Sequence, residues 1–343
     1  MGARTMLRRR TERRAFFRHQ RAHLEYIPAF SGLHEEEQDL LFQLAGRAAA
    51  SPVTALKRVA RFLWRERYLH VVPQDADAFA LLVSAAALLE LDPSGGRRRL
   101  ENGSYRYHRA LSAWWWSMTL KNRARQQRDV DAVRTAAQEL VDWLRAGVPA
   151  ANDPPVIAHA RLLVDPDGNW LSKAGYRSSG SRARLVRSLL WQVEPVDLVT
   201  GEPMIGIKLV EASGSSRRQL VQVEREHEHH VFPRSWLVKR PPIRAGGDVD
   251  QPANLALLSP ATNSWISDRG PADYVTSLDK AFGPEHVDRI LATHLLDGAL
   301  LRENAFADQM TARADRLAAM ARRILDPREL HVVQPVKEWP RDV

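Results

Sequence analysis

One short stretch of the chain passes directly from an apolar run into a helix-start signal. The run from Asn254 to Leu258 is followed at once by Ser259 and Pro260. A short apolar run suits a buried strand, serine is a favoured N-cap, and proline suits the first helical position. The stretch therefore predicts a buried strand that leads without a loop into a helix, with Asn263 in the first turn of that helix.

Polar residues that can carry out chemistry flank this strand and helix. His229 and His230 precede a Val-Phe-Pro segment that ends at Pro233. Adjacent residues of a strand point to opposite sides, so both histidines can serve one site only where the chain bends or bulges. Pro233 is consistent with such a distortion, because proline also restricts the residue before it. Asparagine is a weak helix former, so Asn263 has another role, such as ligating a metal ion.

These residue types suit the hydrolysis of a phosphodiester. A neutral imidazole can accept a proton from the attacking water, and a divalent cation can stabilise the departing oxygen. The arrangement resembles the ββα-metal fold of HNH endonucleases, and more narrowly the C-terminal nuclease module of GmrSD-type, modification-dependent restriction enzymes. The resemblance is carried by Glu228 to Pro233, Asn254-Leu255, residues 263–267 and the Pro-x-x-Tyr turn at 271–274. It is strong over residues 220–280 and loose elsewhere.

The resemblance implies a role for each motif residue. His230 would be the general base, His229 and Asn263 would ligate one divalent metal ion, and Asn254 would orient the base or brace the loop. The expected ion is Mg²⁺ or Mn²⁺.

The histidine at 229 is a departure, since many HNH proteins have an acidic residue there. Imidazole suits transition metals better than Mg²⁺, which makes Mn²⁺ or another transition metal an alternative. Glu228 or Glu226 can instead supply the carboxylate.

The charge of the chain favours a polyanionic partner. The net charge is +9 and the pI about 10.1, and cationic side chains displace counterions from nucleic acid. Arg234, Lys239 and Arg240 follow the histidines and predict a clamp on the DNA backbone, with a flexible surface hairpin as the alternative. We expect DNA as the substrate. An inert DNA-binding or regulatory subunit and an RNA-cutting nuclease are the other classes that fit.

Several absences narrow the function further. The chain has no cysteine, which excludes disulfides, catalytic thiols and cysteine-built zinc knuckles. It lacks the Asp-Gly-Gln-Gln-Arg motif of the related family and any phosphate loop, so a nucleotide-hydrolysing or modification-sensing activity would belong to a separate subunit or be absent. No apolar run is long enough to span a bilayer. We expect a cytoplasmic protein with no membrane partner that acts in defence against foreign or modified DNA.

The expected fold class is α+β, mostly α-helical with an embedded ββα-metal nuclease core. Residues 1–150 form a helical N-terminal domain with a basic leader, and residues 151–283 form the nuclease domain, with its core at 218–276. Residues 284–326 form C-terminal helices that pack on the rest, and residues 327–343 form a tail. The first strand of the core is expected from Leu220 to Glu224. Helices are expected at 36–50, 52–68, 76–91, 105–120, 129–144 and 182–192, and over most of 285–325.

Overall fold

The computed structural model describes residues 59, 62, 78–91, 104–121, 130–148, 150–164, 181–204, 207–211, 218–222, 227–240 and 249–328. The predicted basic leader, the predicted helix at 36–50, most of the predicted helix at 52–68 and all but the start of the predicted tail lie outside these ranges. So does Glu226, one of the two candidate carboxylates.

The described part is mostly helical with two small two-stranded sheets, which is compatible with the α+β class. Its helices are α1 (Ala78–Leu91), α2 (Ser104–Lys121), α3 (Val130–Arg145), α4 (Pro155–Leu163), α5 (Ser181–Gln192), α6 (Arg234–Val238), α7 (Pro260–Ile266), α8 (Pro271–Phe282), α9 (Pro284–Ala292), α10 (Gly298–Arg302) and α11 (Phe306–Leu325). Its strands are β1 (Ile207–Glu211), β2 (Arg218–Gln222), β3 (His227–His230) and β4 (Leu255–Leu258). Short 3₁₀ turns occupy Ala150–Asn152 and Pro252–Asn254.

By their contacts, the residues form two compact units. The first takes its described residues from 1–160, 209–220 and 325–343, and the second from 161–208 and 221–324. The second unit therefore contains β3, β4 and α7 together with α8, α9, α10 and nearly all of α11. The helical region expected over most of 285–325 consists of α9, α10 and α11, which are separated by turns at Leu295 and Asn304, both with positive φ.

The first unit is built on apolar helix faces. Helix α1 packs against α2 and α3, and its residues 82–87 are all buried. Trp114, Trp115 and Trp116 in α2 are 3%, 0% and 0% exposed. The tryptophan run therefore packs inside the protein, and stacking on nucleobases would need an exposed ring face that these residues lack.

The second unit has its own core around the end of β3. Phe232 is fully buried and packs edge-on against Phe306 of α11, with ring centroids 5.2 Å apart. The same cluster includes Leu258 of β4, Ile266 of α7 and Leu278 of α8. The segment that carries the two histidines is thus anchored by its own apolar residues.

The strand pairing differs from the prediction in one respect. The predicted first strand, Leu220 to Glu224, overlaps β2, but β2 pairs with β1 in a separate sheet. The partner of β4 is instead β3, with His229 opposite Ala256 and His230 opposite Leu255. The sequence did not predict β3 as a core strand because its residues are polar (His-Glu-His-His), whereas strand prediction depends on apolar and β-branched residues.

Among the helices that the structure describes, none is long and apolar enough to cross a membrane.

Candidate functional site

The two histidines lie where a regular strand ends in a bend. The β3–β4 ladder stays in register through His230, with no inserted residue. The backbone then bends at Val231 and Phe232, and Val231 N–H donates to the Asn254 carbonyl at 2.8 Å. Of the two distortions that the sequence allowed, the structure has the bend, directly before Pro233.

Asn254 ties this bend to the turn that precedes β4. Its side chain is fully buried. Its Oδ1 accepts from Phe232 N–H at 2.8 Å, and its Nδ2 donates to the carbonyls of Phe232 at 3.1 Å and Val249 at 2.9 Å. Both amide hydrogens and the oxygen are therefore used on the backbone. Asn254 has the geometry of a loop brace, one of the two roles expected for it.

The juncture between β4 and α7 forms as the sequence predicted. Ser259 is the N-cap and its Oγ accepts from Thr262 N–H, while Pro260 occupies the first turn. Asn263 follows in the same turn and faces the hairpin. Helix α7 ends at Ile266, with Ser267 at φ 52°, and Pro271, the first residue of the Pro-x-x-Tyr segment, opens α8.

His229 and Asn263 meet directly. The distance between His229 Nδ1 and Asn263 Oδ1 is 2.6 Å. Because a carbonyl oxygen only accepts, the ring donates through Nδ1–H and its lone pair lies on Nε2. His229 is 7% exposed, and its Nε2 is buried with no hydrogen-bond partner among the described residues. Burial lowers the pKa of His229 to about 4, although the hydrogen bond with Asn263 acts in the opposite direction. The ring is therefore neutral at physiological pH.

His230 has a different partner, one that the sequence motif does not contain. Its Nε2 lies 3.0 Å from Oδ1 of Asp250. The two side chains are 18% and 24% exposed, so the contact is partly sheltered from water. Asp250 precedes the 3₁₀ turn that leads to Asn254, and Val249, its neighbour, is the residue that Asn254 holds.

Both histidines and Asn263 line one open cavity. Its volume is about 660 Å³. Two of the three predicted substrate-binding residues, Arg234 and Lys239, also line it.

The third predicted substrate-binding residue, Arg240, does not line the cavity. Its guanidinium stacks 3.6 Å over the ring of Trp236 and donates to the Trp236 carbonyl at 3.0 Å.

The chain matches no protein-family model, no curated protein and no solved structure.

Glu228, the described candidate for a carboxylate ligand, is engaged elsewhere. Its Oε1 lies 2.6 Å from Nε of Arg187 in α5, although the residue also borders the cavity. In the part of the chain that the structure describes, no group of three or more His, Cys, Asp or Glu side chains is placed to hold a metal ion. Of the side chains predicted to ligate a metal ion, the structure brings His229 and Asn263 into contact.

A buried carboxylate fixes the start of α7. Asp197 is 2% exposed; its Oδ1 accepts from Thr262 Oγ1 at 2.5 Å, and its Oδ2 accepts from Ser259 N–H at 2.9 Å. Burial raises the pKa of Asp197, but hydrogen bonds from Thr262, Thr200 and Ser259 outweigh it and lower the pKa to about 2. The carboxylate is thus held in its charged form where it positions the helix that carries Asn263.

Two further buried side chains hold the hairpin. Tyr274 of α8 donates from its hydroxyl to the Val231 carbonyl at 3.0 Å. Arg313 of α11 is fully buried and donates to the carbonyls of Ala253 at 2.7 Å and His294 at 2.9 Å. Burial lowers the pKa of Arg313 to about 9, which still leaves it cationic at neutral pH. Tyr274 belongs to the Pro-x-x-Tyr segment of the sequence resemblance, but the hydrogen-bond partners of Tyr274 and Arg313 were not predictable.

Asp250 is the site residue that sequence reasoning missed. It stands in the run Gly246-Gly247-Asp248-Val249-Asp250, a composition typical of turns. Its distance of four positions before Asn254 was the available signal, because a residue so close to the brace must lie near the bend.

Proposed function

We propose that the protein is a divalent-metal-dependent endonuclease or nickase of the HNH type that hydrolyses DNA phosphodiesters. One observation carries the proposal: adjacent histidines at a strand end line a single cavity, one in contact with an amide oxygen from a capped helix and the other with a carboxylate. A surface histidine cluster, the plainest alternative, does not account for a buried His229 in contact with Asn263.

The donor set at His229 and Asn263 fits a divalent ion. The imidazole is neutral and so offers a lone pair, and the amide supplies an oxygen, which suits Mn²⁺ or Mg²⁺. An ion shared by the two side chains would bind at Nδ1 of His229, which now faces Asn263 Oδ1, and the ring hydrogen would then move from Nδ1 to Nε2. Two protein ligands leave room for water and phosphate, as sites for such ions usually do.

The chain's own residues divide the remaining work. A divalent ion bound by His229 and Asn263 would supply positive charge for the oxygen that leaves phosphorus. His230 takes the proton of the attacking water on the ring nitrogen that does not face Asp250. Asn254 keeps the bend in the shape that brings both histidines to the cavity.

The cationic wall of the cavity supports a nucleic-acid substrate. Arg234 and Lys239 are exposed and border the same cavity as the histidines. Side chains of this kind bind phosphate oxygens and set the position of a strand without reading its bases. The proposed biological setting is defence against foreign or modified DNA.

Plasmid nicking tests the proposal. Purified full-length protein with Mn²⁺ or Mg²⁺ should convert supercoiled plasmid to the open circular form, and EDTA should stop it. His230→Ala should lower the rate by roughly 10²–10⁴-fold, the usual contribution of a general base, with an unchanged circular dichroism spectrum. His286→Ala is the matched control, because His286 is an exposed histidine of α9 in the same unit.

The outcomes separate the alternatives. Equal cutting by His230→Ala and His286→Ala would rule out the assigned base. Binding of plasmid without cutting under any divalent metal would leave an inert DNA-binding subunit. Preference for RNA in a competition between labelled duplex DNA and RNA would make the protein a ribonuclease.

A further inference from the structure

We infer that Asp250 is a positioning residue for His230, which fixes the tautomer and the direction of the imidazole that takes a proton from water. The inference rests on the proposed function for its kinetic consequence, but its structural content can be tested without it. Asp250 does not contact the substrate in this role and acts only through His230.

The hydrogen bond itself decides the tautomer. An ionised carboxylate has no proton to donate, so the 3.0 Å contact between Asp250 Oδ1 and His230 Nε2 requires Nε2 to carry the hydrogen. The neutral ring then has its lone pair on Nδ1. A histidine whose tautomer is set in this way is ready to act as a base at the other nitrogen.

The position of the Asp250 carboxylate is fixed by its buried neighbour Val249. Val249 is fully buried, and its carbonyl accepts from Asn254 Nδ2 at 2.9 Å. The Asn254 N–H in turn donates to the Gln251 carbonyl at 2.9 Å. Asp250 lies between these two fixed points. Asn254 thus holds both ends of the pair, the bend after His230 through Phe232 and the turn beneath Asp250 through Val249.

As the water oxygen bonds to phosphorus, the water O–H bond breaks and that proton goes to Nδ1 of His230. The P–O bond to the leaving oxygen breaks, and that oxygen takes a proton from solvent. Asp250 keeps its charge throughout and stabilises the imidazolium that forms, as the aspartate of a serine-protease triad does for its histidine.

Kinetics provide the first test. Asp250→Asn can present an N–H to Nε2 and so permits the wrong tautomer. It should lower kcat for plasmid nicking by up to roughly 10⁴-fold, by the precedent of the triad aspartate, with KM for DNA nearly unchanged. Asp250→Glu, which keeps the carboxylate, should recover part of the rate. Asp315→Asn, an exposed substitution on α11, is the matched control.

Nitrogen NMR provides a readout independent of cleavage. In full-length protein labelled with ¹⁵N-histidine and free of added metal, His230, assigned through His230→Ala, should be the Nε2–H tautomer. Asp250→Asn should shift it toward Nδ1–H, whereas Asp315→Asn should not.

The two readouts fail separately. A wild-type Nδ1–H tautomer, or an Asp250→Asn protein that keeps both the wild-type tautomer and the wild-type kcat, overturns the inference. So does a shift of tautomer with no change in kcat. If the protein cuts no nucleic acid, the proposed function fails, while a tautomer shift confined to Asp250→Asn still upholds Asp250 as the residue that positions His230.

Discussion

Each of the two compact units has an apolar core, but in the second unit buried hydrogen bonds also position the site. The helices of the first unit rely on apolar side chains, with Trp115 and Trp116 fully buried and an almost wholly apolar α1. The hairpin and helix of the second unit are instead positioned by a buried polar set: Asp197, Asn254, Tyr274 and Arg313. Apolar packing tolerates small shifts, whereas a hydrogen bond requires a defined distance and angle. Hydrogen bonds therefore position the site, where the side-chain atoms must lie at defined distances from one another.

This contrast predicts that damage to the first unit costs stability and damage to the polar set costs function as well.

Trp115→Ala should be the most destabilising change. The indole is fully buried and meets Phe62 edge-on, with ring centroids 6.0 Å apart. Truncation of a buried tryptophan costs about 3–5 kcal/mol. Urea unfolding measured by circular dichroism should show the loss, while nicking per folded molecule stays at the wild-type level. A large fall in nicking by the folded fraction would contradict the division of labour between the units.

Asn254→Ala should affect both properties. It leaves three buried backbone groups, two on Phe232 and one on Val249, without their partner, and unsatisfied buried groups cost about 1–3 kcal/mol. The bend and the turn under Asp250 also lose their common tie. At about 1 kcal/mol for each of the three groups, the low end of that range, the free energy of unfolding should fall by about 3 kcal/mol, with nicking by the folded protein lowered as well.

The control for this change is Gln138→Ala, which removes an exposed amide from α3 and should alter neither property. Full nicking by folded Asn254→Ala would show that the bend keeps its shape without the brace.

Asp197→Asn should have the smallest effect, and one that depends on pH. The folded pKa of Asp197 is about 2, below the ordinary value of 3.8, so the stability it provides is present above about pH 4 and is lost as the pH falls toward 2. A shift of this size corresponds to about 2 kcal/mol. Urea unfolding at pH 7 should show that deficit in the variant, and the gap should narrow between pH 4 and pH 3.

His294 adds a separate pH effect on the wild-type protein. Burial lowers its pKa to about 4, so the unfolded chain binds a proton before the folded one, and stability falls between about pH 6.5 and pH 4. Both Asp197 proteins should share this step. A gap between them that is constant from pH 7 to pH 3 would show that Asp197 does not titrate with folding.

The sequence predicted the local parts of the site and not its long-range ties. Ser259 and Pro260 mark a helix start through interactions within a few residues, so the cap and the strand before it were predictable. The bond between Asp197 and Thr262 spans 65 positions, and that between Arg313 and Ala253 spans 60. No local pattern encodes such a partner, because a buried charge looks in sequence like an exposed one.

The first strand of the core was misplaced for a related reason. Leu220 and its neighbours have the apolar pattern of a strand, whereas His227 to His230 do not. The pairing of β3 is stabilised by its partner β4, which is buried at every position, rather than by its own side chains.

The close packing of Gly270 against Trp236 restricts which residues can occupy both positions. A Cβ at position 270 would lie 2.2 Å from Nε1 of the Trp236 indole. The guanidinium of Arg240 stacks on the same ring, which favours keeping the tryptophan. A larger residue at position 270 would require a smaller side chain at position 236, and Arg240 would then lose the ring on which its guanidinium stacks. Substitutions at positions 236, 240 and 270 are therefore expected to occur together or not at all.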